Sequence, residues 1–138
     1  MSLRESMSWC IKGEKLQEMG KNEEAVKCYD EALRINPNVA SVWTLRGKAL
    51  SGQQLYNNAL QSYYKALQIN PNSADALNGR GKVLLDLEKF KEAEECFKEA
   101  LKIDNSDPSI WYNRGKTLKH LNKYKMAQEC IEIARKQM

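Results

Sequence analysis

His120 is the chain's one histidine, and no carboxylate and nucleophile flank it in an arrangement suited to acid–base or nucleophilic catalysis. Gly79-Arg80-Gly81-Lys82 has the composition of a phosphate-cradling turn, yet it lies inside a helical pattern where packing accounts for its glycines. The four cysteines offer redox or metal chemistry only if they converge. Cys28, Cys96 and Cys130 instead sit at spacings of 68 and 34 residues, with Ser62 at the intervening position, and Cys10 stands apart. No Cys-x-x-Cys pair is present to seed a zinc site. Equivalent positions on helices packed about 8–10 Å apart do not bring Cβ atoms to the roughly 3.8 Å of a disulfide. Structural, reduced thiols are therefore expected, and with them a cytoplasmic setting. The chain reads as a non-enzyme, with no cofactor and no metal. The remaining chemistry is electrostatic: Lys48, Lys82 and Lys116 recur every 34 residues.

That interval organises everything else. Gly13, Gly47, Gly81 and Gly115 are each 34 residues apart. Four residues before each stands Trp9, Trp43, Leu77 or Trp111, and three after it Leu16, Leu50, Leu84 or Leu118. Downstream follow Ala25, Ala59, Ala93 and Ala127; then Tyr29, Tyr63, Phe97 and Ile131; then Ala32, Ala66, Ala100 and Ala134. Self-similarity at a fixed period decides the fold before any local reading does. The repeats span residues 6–39, 40–73, 74–107 and 108–138 within one domain, 1–138.

Each repeat holds two helical stripes. In the second, Val42, Trp43, Arg46, Gly47 and Leu50 form one, and Ala59, Tyr63, Ala66 and Leu67 the other. Ser51-Gly52-Gln53-Gln54 breaks them, and Asn70-Pro71-Asn72 ends the repeat, as Asn36-Pro37-Asn38 ends the first. Pro108 is displaced to the start of a helix, where its missing N–H is not needed. A helix-interior glycine costs about 1 kcal/mol against alanine, so the glycine column implies close approach of the second helix in each pair. Asn22 replaces the aromatic residue that begins the other second helices (Tyr56, Phe90, Tyr124), so a weaker contact is expected in the first pair.

These columns resemble the tetratricopeptide repeat, with four copies covering Ser6 to Met138. Trp, Gly, Ala, aromatic, Ala and Pro match, apart from Leu77, Ile131 and the displaced Pro108. The chain departs before each glycine, where Lys12, Arg46, Arg80 and Arg114 replace leucine, and after it, where leucine replaces tyrosine. The resemblance implies an all-α fold: a right-handed superhelical solenoid of four helix-turn-helix repeats, about eight helices in antiparallel pairs. It also implies a scaffold or adaptor function, binding a peptide or partner segment in a concave groove lined by the first helices. On this chain that groove would carry Ile11, Thr44, Leu45, Lys48, Asn78, Lys82, Tyr112, Asn113, Lys116 and Lys119, with Met7, Cys10 and Glu14 beside Ile11.

The lysine column fits an acidic element in the partner; solvation is its plain alternative. Arg46, Arg80 and Arg114 read instead as packing residues, their stems covering apolar surface. Relatives that grip acidic chaperone tails use Lys/Asn and Lys/Arg pairs four residues apart. Here the matching places hold Cys10/Glu14 or Thr44/Lys48, then Asp75/Gly79 or Ser109/Asn113, so that clamp is missing.

Net charge is +4 overall, but successive repeats carry −1, +3, −3 and +5, with Arg4 and Glu5 cancelling. Basic residues of the last repeat (Arg114, Lys116, Lys119, Lys123, Lys125, Lys136) leave a nucleic-acid-binding repeat protein as the alternative of a different class; acidic second helices oppose it. A segment of a larger or self-associating assembly is the other alternative, with weak homo-oligomerisation through repeat ends where Cys130, Ile131 and Ile133 are expected partly uncovered. No apolar run approaches the roughly 20 residues of a membrane span, and Met1–Glu5 lacks a signal-like apolar region.

Overall fold

The computed structural model describes residues 2–138, so the reading of Met1 lies outside the described residues. Eight α-helices follow in order: α1 (Leu3–Glu18), α2 (Asn22–Ile35), α3 (Ala40–Gly52), α4 (Tyr56–Ile69), α5 (Ala74–Asp86), α6 (Phe90–Ile103), α7 (Pro108–His120) and α8 (Tyr124–Gln137). The chain divides into two compact units, Met1–Pro71 and Asn72–Met138. The first holds α1–α4 and the second α5–α8. In each, every first helix packs on the second helix that follows it, and the middle two helices pack on each other.

The same turn closes every helix pair. Gly20, Gln54, Glu88 and Asn122 adopt φ of 79°, 62°, 61° and 63°, the left-handed region. The amide N–H after each reaches back over a turn: Lys21 to the Leu16 carbonyl at 2.9 Å, Leu55 to Leu50 at 2.9 Å, Lys89 to Leu84 at 2.8 Å and Lys123 to Leu118 at 2.9 Å. The left-handed residue donates to a carbonyl three back, as Gly20 does to Gln17 and Asn122 to Lys119. This double closure satisfies carbonyls that the helix end leaves open. Only the first turn uses glycine; the other three place a side chain where glycine is favoured.

The glycine column does what its spacing implies. A Cβ at Gly13 would lie 2.6 Å from Tyr29 Cε1, at Gly47 2.8 Å from Tyr63 Cε1, at Gly81 2.5 Å from Phe97 Cε1, and at Gly115 2.8 Å from Ile131 Cγ1. Tyr29, Tyr63 and Phe97 are fully buried there, flanked by the alanines on either side of them along their helices. Burying such rings removes a large apolar area from water in these three pairs. Asn22 takes a different part from the aromatic it replaces: its amide abuts Gly52 of α3, where a Cβ would collide with it.

Extended residues end the second helices at Asn36, Asn70 and Asp104. Two tryptophans fasten the loops that follow: Trp43 Nε1 donates to the Pro37 carbonyl and Trp111 Nε1 to the Asn105 carbonyl, both at 2.8 Å. Asp107 caps α7 through the Ser109 N–H at 2.9 Å, with Pro108 in the first turn.

Some positions on α1 and α8 differ from their counterparts in the other repeats. Val42 and Ala49 of α3 are buried, as are Ile110 and Thr117 of α7. One and three repeats upstream of them, α1 carries exposed Ser8 and Lys15. Leu33 of α2 is buried, whereas its counterpart on α8 is Arg135, exposed and paired with Glu132 at 3.0 Å. Cys130 is buried, contrary to the expected exposure, because α8 folds it inward onto Leu118 and Ala127. Ile131 and Ile133 are half-buried.

Candidate functional site

First helices lie side by side within each unit, α1 beside α3 and α5 beside α7. Their surfaces away from the glycine column are where the expected groove residues fall. Five of these are exposed: Ile11 on α1, Lys82 on α5, and Tyr112, Lys116 and Lys119 on α7. Lys116 Nζ sits 5.5 Å from the Tyr112 ring centroid, within cation–π range. Lys82, Tyr112, Lys116 and Lys119 thus give the second unit a basic surface with an aromatic ring in it. Leu45 and Lys48 are half-buried on α3, Leu45 packing against the core of the first unit.

Three expected groove residues do not face solvent. Thr44 is buried, and its hydroxyl donates to the Ala40 carbonyl of its own helix at 3.0 Å. Asn78 and Asn113 are also buried, and they bond to each other. The Asn113 amide donates to Asn78 Oδ1 at 3.1 Å, and the Asn78 amide donates to Ser109 Oγ at 3.2 Å. Polar groups so matched serve the α5–α7 contact and leave little capacity for a ligand's backbone. The sequence did not show this burial, because a polar residue on a helix face reads alike whether it meets water or a neighbouring amide.

The arginine column is structural where its partners are visible. Arg46 Nε donates to Asp30 Oδ1 at 2.7 Å and its Nη1 to Ser62 Oγ at 2.8 Å, joining α3 to α2 and α4. Arg114 Nε and Nη2 both lie 3.0 Å from Glu94 Oε1, at side-chain exposures of 17% and 10%. Glu94 Oε2 is buried without a protein partner. Arg114 therefore neutralises this buried carboxylate, a pairing whose rupture is costly.

The cysteines are all free thiols: Cys28, Cys96 and Cys130 buried, Cys10 half-buried. Burial pushes the Cys96 thiol up to about 11 and raises that of Cys130, although Arg80 and Arg114 pull the other way. Cys10 is likewise pushed up to about 11, by burial first and then by its contact with Glu14. Thiols held protonated in this way are poor nucleophiles. Among the described residues no group of three His, Cys, Asp or Glu side chains is placed to hold a metal ion. The His120 ring stacks on Phe90, centroids 4.4 Å apart and planes 4° from parallel. Among the described residues no helix is long and apolar enough to cross a membrane.

The sequence profile of the TPR repeat family matches residues 13–54, 53–88 and 81–122. The chain belongs to the tetratricopeptide repeat family. No curated protein matches it significantly in sequence. Solved TPR structures nevertheless share the fold. A crystal structure of MamA superposes with a TM-score of 0.86 at 15% identity, covering 96% of this chain and 77% of MamA. A MamA RS-1 double mutant gives 0.84 at 21% identity, covering 96% of this chain and 75% of that one. The first TPR domain of Spaghetti (RPAP3), bound to the HSP90 peptide SRMEEVD, gives 0.84 at 21% identity, covering 88% and 97%. The fold is thus an all-α TPR solenoid, and proteins of this family act in general as interaction scaffolds.

Proposed function

We propose that the exposed first-helix surfaces of this TPR protein bind a peptide or partner segment bearing an acidic element. The observation that carries this reading is the grouping of Lys82, Lys116 and Lys119 with Tyr112 on the exposed side of α5 and α7. A carboxylate-rich segment would meet several cations at once there, which favours encounter more than residence. The peptide-bound RPAP3 domain supports the general mode, since it shares the fold and holds an acidic peptide. Its manner of gripping that peptide is not carried over, because the paired clamp residues are missing here.

Lys48 takes a lesser part, being half-buried. Thr44, Asn78 and Asn113 are left out of the surface, being spent on internal bonds. The protein acts as an adaptor in the cytoplasm.

The test replaces Lys82, Lys116 and Lys119 by glutamine and compares this with Lys91, Lys98 and Lys102 on α6, which removes equal charge from the same unit. Binding of a labelled Glu-rich peptide should slow and lose salt dependence in the first variant only. Equal weakening in both would reduce the effect to net charge and defeat the assignment of a surface. Fluorescence anisotropy with a random oligonucleotide at low salt should show no binding; steeply salt-dependent binding would favour nucleic acid instead.

A further inference from the structure

The first unit offers a surface of the opposite character. Leu3, Met7 and Ile11 lie four residues apart on α1 and are 68%, 62% and 51% exposed. Three large apolar side chains in one line are unusual on a solvated face. They are not part of the helix's outer end face, which is polar at Ser8, Lys12 and Lys15. They instead line one side of a cleft of about 260 Å³, closed on the other by Val39 and Val42. Glu14, one turn beyond Ile11, is the charged side chain among the lining residues described. Glu18 continues the same helix face and is exposed. The stripe is therefore apolar first and acidic after, along one helix.

We propose that this α1 cleft takes a short peptide segment with two apolar side chains followed by a basic one. The proposal rests on the reading that first-helix surfaces bind peptides, and it names the chemistry of one subsite. Charge complementarity fixes the sign: Glu14 and Glu18 stand where the other repeats have Lys48, Lys82 and Lys116 or no carboxylate beside them, except Asp86 in the Glu18 column. Size fixes the kind of partner. Three side chains on one helix fall well short of the roughly 800 Å² per partner of a stable protein–protein interface, so a second folded copy is a poor occupant. A cleft of this volume suits a pair of aliphatic side chains. A cation next to them would meet Glu14 at the edge of apolar surface, where solvent screens it less.

The experiment uses the full chain and a fluorescein-labelled peptide in which two leucines precede two arginines. A second peptide carries glutamates in place of the arginines. Anisotropy should show saturable binding of the first and not of the second. Ile11→Ser should weaken it about tenfold, the scale of one lost apolar anchor, while circular dichroism stays native because Ile11 is half-exposed. Glu14→Gln should weaken it less and reduce its salt dependence. The variant lacking Lys82, Lys116 and Lys119 should bind this peptide undiminished. Equal binding of both peptides, no binding of either, or indifference to Ile11→Ser overturns the proposal. So does a dimer in sedimentation that Ile11→Ser dissolves, since the occupant would then be a second copy. If the Glu-rich peptide binds the second unit while the leucine–arginine peptide binds nowhere, this proposal fails and the broader reading stands; the reverse result separates them the other way.

Discussion

Asn113 donates its side-chain amide to the Asn78 side-chain oxygen at 3.1 Å, both residues buried and one helix pair apart. The two side chains bond to each other across the α5–α7 contact. Removing one partner leaves a buried polar group unmatched, which costs about 1–3 kcal/mol. Asn113→Ala and Asn78→Ala should each destabilise by that order in urea denaturation. The double variant should lose less than the sum, since the second change strands nothing new; coupling of about 0.5–3 kcal/mol is expected for residues in contact. Additive losses would show that the amides do not depend on each other.

The close approach at Gly81 gives the second prediction. A Cβ there would meet Phe97 Cε1 at 2.5 Å, and Phe97 has no exposed surface through which to move. Helix propensity alone favours Gly81→Ala by about 1 kcal/mol. Overpacking opposes it by about 1–3 kcal/mol, so the melting temperature should fall, and fall further for Gly81→Leu. A rise on Gly81→Ala would mean that the ring yields freely and the glycine is not there for contact.

The left-handed turns predict a gain. Glu88 holds a φ of 61° at the position that glycine fills in the first turn. The left-handed conformation costs an L-residue about 1–2 kcal/mol, and glycine's greater freedom in the unfolded chain takes back up to about 1 kcal/mol. Glu88→Gly should thus stabilise by up to about 1 kcal/mol in chemical denaturation. Gly20→Glu should do the reverse. A loss on Glu88→Gly would mean that the glutamate side chain contributes more than its backbone costs.

Much of this architecture is legible in the sequence because packing repeats with it. Gly13, Gly47, Gly81 and Gly115 each oppose the bulky residue that recurs sixteen positions later. The helices α3, α5 and α7 begin at the repeat boundaries, Ala40, Ala74 and Pro108. The left-handed turns were not legible, because Gln54, Glu88 and Asn122 share no residue type. The surface was legible only in part. Lys82 and Lys116 follow the period and are exposed, whereas Asn78 and Thr44 are buried by neighbours that their own helix pattern does not reveal. Arg46 and Arg114 occupy one column but choose different acids, Asp30 on α2 and Glu94 on α6, since the acids follow no column. The apolar stripe of α1 needed the structure too: Leu3 precedes the first repeat, and only its place on α1 lines it up with Met7 and Ile11.

Recognition of an acidic segment by the first helices of the second unit is tested most directly by mapping, residue by residue, where such a segment lands. The isotope-labelled protein would be titrated with a Glu-rich peptide and its amide resonances followed. Perturbations should centre on Lys82, Tyr112, Lys116 and Lys119, and fade along α6 and α8. They should shrink at raised salt, because the attraction is between opposite charges in water. Shifts centred on Lys91, Lys98 and Lys102, or spread evenly over every exposed lysine, would contradict the account.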